Sequence, residues 1–248
     1  MTELVEVDAG NVDRLGFFCL KSKPRDPGHS GKRAWLEARF AEGLRMTLLS
    51  IDGRSRGFIE TIPGRFAWRA VHAPDHLVIH CLWVIGSAKG QGHGGRLLAR
   101  AEAHAEDAGL AGIAMVTSRG NWLAGSKLLL HHGYQVVDEA PGFQLLARRF
   151  RTTSLPRFPS DWAARRARFG PGVSLVRTDQ CPYLARSIPT VRALAAARDL
   201  AFRDVVLTSA AEVRARAPSP YGVYALLKDD RLLAHHLQTE TALTRLLA

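Results

Sequence analysis

The stretch KGQGHGGR, Lys89 to Arg96, places four glycines and two cations in eight positions without an acid. Gly90, Gly92 and Gly95 satisfy the spacing G-x-G-x-x-G, and the helix-forming run RLLARAEAHAEDAG follows. Glycine-rich backbone at a helix N-terminus offers free N–H groups and the positive end of the helix dipole to an anion. Lys89 and Arg96 add charge at its rim. A dinucleotide site of this spacing also needs an early βαβ position and an acid ending the next strand. Here the next strand, GIAMVTS, ends in Thr117 and Ser118, and other strands precede the loop. No Gly-Lys-Ser/Thr follows, so the P-loop form is absent as well. What remains is a pyrophosphate cradle; a plain tight turn would need fewer glycines.

Two side chains could move a proton nearby. Strand alternation in HLVIHCLWV puts Val78, His80, Leu82 and Val84 on one face, and an imidazole titrates near neutrality. Glu60, in GFIET, is the second candidate base. Both residue types also occur as satisfied core or salt-bridged groups, and that alternative stays open. Cys19 and Cys81 read as core. The chain has no HExxH, paired-cysteine or close His/Cys pattern, so no metal site is expected.

The elements that must position these groups follow from periodicity. ELVEV reads as a strand, Asn11 as the cap of a helix through Cys19, and KRAWLEARFAEG as a helix ending on Gly43. RMTLLSID and RGFIETI form a hairpin through Gly53, and HLVIHCLWVIG a buried strand. After the glycine loop and its helix come strand GIAMVTS, helix WLAGSKLLLHHG, and strands YQVVDE and FQLLARRF around Pro141-Gly142. That is a mixed α/β domain over residues 1–150. Residues 151–169 read as a basic linker with Pro156 and Pro159. A second α/β domain, 170–248, has the order β-α-β-α-β-β-α, which is a thioredoxin-like order.

In that second domain, TDQCPYLARSIP delivers Cys181 from a strand to a helix N-terminus, where Pro182 suits the first turn. The helix end and Arg186 favour thiolate. Leu184 stands where a dithiol oxidoreductase needs its second cysteine, which excludes a disulfide cycle at this motif. A structural cysteine is the alternative. A low-molecular-weight thiol or a thiol protein is the candidate partner.

The 248 residues are 46% hydrophobic and carry a formal charge of +11, with a pI near 10.3. An anionic cofactor, an acidic partner and nucleic acid all suit that field. Without a helix-turn-helix, zinc-finger or RNP signature, nucleic acid is not the expected partner. Were it bound, Arg165, Arg166 and Arg168 of the linker would carry it. No apolar run approaches the roughly 20 residues that span a bilayer. An acidic, strand-like start and three cysteines with no close spacing lead to the expectation of a reducing cytoplasm.

A buried strand followed by Arg or Gln, two residues, Gly, one residue, Gly or Ala, and then a helix is motif A of the GNAT acetyltransferase superfamily. Lys89-Gly90-Gln91-Gly92-His93-Gly94 resembles it, with Lys in the first position, and the element order from Glu3 to Phe150 is similar. HCLWV, VTSRGNW and the CPY-containing tail resemble the YoaP-like subgroup, in which a GNAT domain precedes a thioredoxin-like one. The resemblance implies acetyl-CoA as acyl donor and a small amine as acceptor. It places the pyrophosphate on the N–H groups of Gln91, Gly92, His93, Gly94 and Gly95. The pantetheine arm would lie along Val84 and Ile85, with Asn121 contacting it. The segment PGRFAWRAVHAPDH, with Trp68 and Arg69, would flank the acceptor cleft. By the same resemblance, Pro189 takes the place of a kinking helix proline and Pro220 that of a cis-proline beside the cysteine. One departure stands out: Leu129 occupies the position of the family's leaving-group tyrosine. Another group protonates the thiolate, CoA leaves as thiolate, or the domain binds acyl-CoA or a thiol without turnover.

Overall fold

The computed structural model describes residues 1–119 and 122–248. The chain divides into two compact units that are not consecutive stretches. Unit 1 holds Met1–Lys21, Leu36–Ala67 and Val71–Phe158; unit 2 holds Ser22–Trp35, Trp68–Ala70 and Pro159–Ala248.

Unit 1 is built on a sheet of β1 (Thr2–Val7), β2 (Arg45–Ile51), β3 (Arg54–Pro63), β4 (His76–Val84), β5 (Gly112–Ser118), β6 (Gln135–Ala140) and β7 (Phe143–Arg149), in the spatial order β1-β2-β3-β4-β5-β7-β6. Every neighbouring pair is antiparallel except β4 and β5. This is the mixed, mostly antiparallel sheet expected. The helix α3 (His93–Asp107) lays Leu97, Leu98, Ala101 and Ala105 on one side of it, at helical spacing. They form one core with Leu49, Ile59, Leu77, Ile79, Leu82, Ile113 and Met115. The first helix, α1, spans only Val12–Leu15, against the longer one expected, because Gly16 turns left-handed at φ +71° and ends it. Asn11 does not cap it with its side chain; its amide donates to the Glu6 carbonyl, and the next helix, α2, is Pro27–Phe40.

Two irregularities in the sheet matter for chemistry. The β4–β5 pairing runs only from His76↔Gly112 to Ile79↔Met115, although both strands continue. Beyond Ile79 the two strands part. The β3–β4 pairing steps from Glu60↔Cys81 to Thr61↔Ile79, so His80 is the extra residue of a bulge. That bulge corrects the alternation argument. Leu77 and Ile79 before it, and Leu82 and Val84 after it, all face the α3 core. His80 therefore lies on the other face from Val84, with Glu60.

Unit 2 carries β8 (Val173–Arg177), β9 (Phe202–Val206), β10 (Tyr224–Lys228) and β11 (Arg231–Ala234), in the order β11-β10-β8-β9. β8 and β9 are parallel; β10 runs antiparallel to β8, and β11 to β10. After the short α5 (Trp162–Ala167), helices α6 (Ser187–Ala196), α7 (Ala210–Arg216) and α8 (Glu240–Leu247) bury Val191, Ala195, Val213, Leu243 and Leu247. Pro189 falls in the first turn of α6, three residues after the 3-10 turn Pro182–Arg186 that runs directly into that helix. No cis peptide occurs among the described residues, so Pro220 is trans, against expectation.

The two borrowed segments are integral to unit 2. Asp26 pairs with Arg186, and a Cβ on Gly28 would lie 1.8 Å from the Pro182 carbonyl oxygen, so only glycine fits there. Trp68 (2% exposed) and Arg69 (0%) are buried. The Arg69 guanidinium donates to Gln180 at 3.0 Å and to the Trp68 carbonyl at 2.9 Å, and lies over Tyr221. The Arg69 charge is committed inside unit 2. Arg165 is similarly committed, to Asp161 and the Arg214 carbonyl, both at 2.6 Å, which removes it from a nucleic-acid-binding surface.

Candidate active site

The glycine loop joins β4 to α3. A 3-10 turn, Gly86–Ala88, leads to Lys89, and then Gly90 and Gly92 take φ of +75° and +76°. Gly92 is the N-cap of α3, and the first helical bond runs from Arg96 N–H to its carbonyl. The Gln91 side chain donates to the Ser87 carbonyl at 2.7 Å, tying the loop across its base. The N–H groups that open a helix have no intrahelical acceptor. No acid occupies the first turn of α3, and Lys89 and Arg96 are exposed beside it. The arrangement is that of an anion cradle.

The four glycines do two different jobs. Gly90 and Gly92 supply left-handed backbone in open space. Gly94 and Gly95 instead allow α4 (Ser126–His131) and its end to approach α3. A Cβ on Gly94 would meet Leu128 Cδ2 at 2.9 Å, and one on Gly95 the His132 ring at 2.5 Å. Their N–H groups remain part of the helix start, but the missing side chains serve packing.

Beyond Ile79, the edge of β4 that faces β5 has no strand partner among the described residues, while its other edge stays paired through Val84↔Gly57 and Ile85 N–H to the Arg56 carbonyl at 2.8 Å. An extended arm with amides could pair there. Val84 and Ile85 thus follow the unpaired stretch and lead into the loop. Asn121 lies outside the described residues.

On the opposite face of the sheet, Glu60 Oε1 and His80 Nδ1 are 3.2 Å apart, with the side chains 1% and 0% exposed. A buried carboxylate and imidazole at this distance can share or pass a proton. The sequence proposed them as alternatives; the bulge makes them a pair. Leu129 is fully buried in the core with Tyr134, so it offers no acid. Burial raises the Tyr134 phenol above its usual range, with the Glu102 charge adding to the effect. Ser126 lines a cleft of about 760 Å³ with Thr117, Ser118, Lys127, Glu139 and Gln144. Among the described residues no group of three or more His, Cys, Asp or Glu side chains could hold a metal ion.

Residues 15–124 match the model of the acetyltransferase (GNAT) family. Over 98% of its length the chain is 29% identical to the uncharacterized N-acetyltransferase YoaP of Bacillus subtilis, covering 97% of that protein. Among solved structures it is similar to aminoglycoside 6′-acetyltransferase type Ii, at 18% identity and a TM-score of 0.46, over 61% of this chain and 99% of that one. It is also similar to the PaiA N-acetyltransferase of Thermoplasma acidophilum in complex with coenzyme A, at 14% identity and a TM-score of 0.42, over 60% and 99% of the two chains.

Proposed function

We propose that the chain is an acetyl-CoA-dependent N-acyltransferase, as the GNAT family match over residues 15–124 and the YoaP relative support, that its acceptor is a small amine, and that Glu60 and His80 take up the amine's proton. The observation that carries this reading is the buried Glu60–His80 pair beside a strand that parts from its neighbour and ends in an anion cradle. The amine nitrogen attacks the thioester carbonyl, the new C–N bond forms as the C–S bond breaks, and the amine proton passes to the pair, directly or through water. The leaving thiolate departs unprotonated or takes a proton from a group other than Leu129. The pyrophosphate rests on Gln91 to Gly95, flanked by Lys89 and Arg96, with the donor arm along Val84 and Ile85 and Asn121 in contact with it. Purified protein should release CoA from acetyl-CoA with at least one member of a chemically diverse amine panel. Tight donor binding with no release across the panel would favour the second reading, a non-catalytic acyl-CoA or thiol sensor, which the buried Leu129 motivates.

The cytoplasm is the proposed compartment; no described helix is long and apolar enough to cross a membrane. We propose a thioredoxin-like role for residues 170–248, beyond the linker 151–169. The β11-β10-β8-β9 order and the placing of Cys181 just before Pro182 and α6 support it. In this reading Cys181 is a monothiol that docks a low-molecular-weight thiol or a thiol protein. All three cysteines are half-buried and outside any disulfide, so exposure does not favour one. Cys181 should alkylate faster than Cys19 and Cys81 in the native protein, and Cys181→Ser should lose glutathionylation. Equal rates would remove the thiol role.

A further inference from the structure

Resting on the acetyl-CoA reading, we propose that Arg54 and Arg56 bind the 3′-phosphate at the ADP end of the acyl donor. They would thereby make the site select CoA over its 3′-dephospho form. A cleft of about 410 Å³ adjoins the glycine loop, lined by Ile51, Asp52, Arg54 and Arg56 on one wall and Ser87, Ala88 and Gln91 on the other. The second wall is the loop itself, so whatever occupies the cradle meets this cleft at its edge.

The two arginines reach the cleft by different local devices. Arg54 pairs across the hairpin with Ile51, whose side chain packs toward the α3 core, and cross-strand partners share a face. Arg56 should alternate away from the residues beside it. But the β2–β3 register steps from Leu49↔Gly57 to Ser50↔Ser55, which leaves Arg56 as the extra residue of a second bulge. Bulges re-aim side chains. The same irregularity sets the Arg56 carbonyl to accept the Ile85 N–H at 2.8 Å, joining the arginine to the loop entrance.

Charge then identifies the ligand class. Among the described residues, neither the Arg54 nor the Arg56 guanidinium has a hydrogen-bonding or ion-pair partner. The acid of the cleft, Asp52, is paired with the Met1 ammonium, which holds its carboxyl below the usual range. Two adjacent unpartnered guanidinium groups suit a doubly charged phosphomonoester, which each can grip with parallel N–H bonds. The pyrophosphate, a diester with less charge per phosphorus, already has the α3 N–H groups. CoA carries both phosphate types on one ligand, and the cleft shares Ser87, Ala88 and Gln91 with the loop that forms the cradle.

The test uses calorimetric titration of the full chain with CoA and with 3′-dephospho-CoA, for the wild type, Arg54→Gln, Arg56→Gln and the double variant. The wild type should bind CoA about 10- to 100-fold more tightly than the 3′-dephospho form, the scale of charge-assisted hydrogen bonds. The double variant should lose that preference, with 3′-dephospho-CoA affinity held within about twofold. Each single variant should lose part of it, so the answer does not depend on the double variant alone. Equal wild-type affinity for the two ligands, or variants that weaken both alike, would overturn the assignment while leaving the donor reading in place. Failure of the wild type to bind either form would overturn both.

Discussion

Glu60→Gln should lower kcat for acetyl transfer by about 10²- to 10³-fold, and His80→Gln by a similar factor, with the donor KM changed by less than about threefold. Glutamine keeps the volume and one oxygen of Glu60 but cannot accept the amine proton. At His80 it keeps a polar side chain where the imidazole stood and removes the titrating ring. Because the two groups face each other at 3.2 Å within the sheet, they should act as a unit. The double variant should then be little worse than either single one, the non-additivity expected of residues that share a step. Each change also touches a buried polar pair, and leaving one partner without the other costs stability, about 1–3 kcal/mol. Single-turnover rates at saturating acetyl-CoA, measured well below the melting temperature, separate the lost proton transfer from lost fold. A variant with Glu60 and His80 both replaced that still turned over at the wild-type rate would sink the pair as base.

The glycine loop carries the second large effect, and here two neighbouring glycines should fail in opposite ways. Gly92→Val forces a β-branched residue into the left-handed conformation at φ +76°, a strain of about 1–2 kcal/mol or more, in a space otherwise open. The loop should relax to another conformation, the helix start should lose its alignment, and acetyl-CoA should no longer raise the melting temperature. Gly94→Val has ordinary backbone geometry but drives a Cβ against Leu128 at 2.9 Å. Overpacking between α3 and α4 should cost about 1–3 kcal/mol, or roughly 2–10 °C of melting temperature in the absence of ligand. Scanning fluorimetry with and without acetyl-CoA reads both. Undiminished ligand protection in Gly92→Val would mean the cradle is not the donor site.

Much of this was legible in the residues. The apolar run HLVIHCLWV, the glycines and the amphipathic RLLARAEAHAEDAG placed β4, the loop and α3, because periodicity and turn chemistry are local properties. The bulges were not legible. Nothing in IHCL marks His80 as an extra residue, since a bulge is a property of two strands and their register. Alternation along one strand therefore put His80 on the wrong face, and it hid Arg56 in the same way. An Arg-x-Arg beside a hairpin glycine was the one signal available for the cleft, and it looked like any solvated strand end. The burial of Arg69 was not legible for a different reason: its partners, Gln180 and Tyr221, lie more than a hundred residues away. Likewise, Gly94 looked like its neighbour Gly92 until the position of Leu128 distinguished a packing glycine from a turn glycine.

The borrowed segments of unit 2 give its assembly a schedule. Asp26 meets Arg186 across 160 residues of chain, and Arg69 meets Gln180 across 111. At roughly 5–20 residues per second, a ribosome delivers Arg186 about 8–32 s after Asp26. For most of that interval Ser22–Trp35 has been synthesised while Pro182, against which Gly28 packs, has not. Unit 2 thus begins at its earliest segment and closes at its latest, a high-contact-order arrangement that sets its folding on the slow side. Meanwhile the strands of unit 1, the last of which ends at Arg149, are already free to pair with one another.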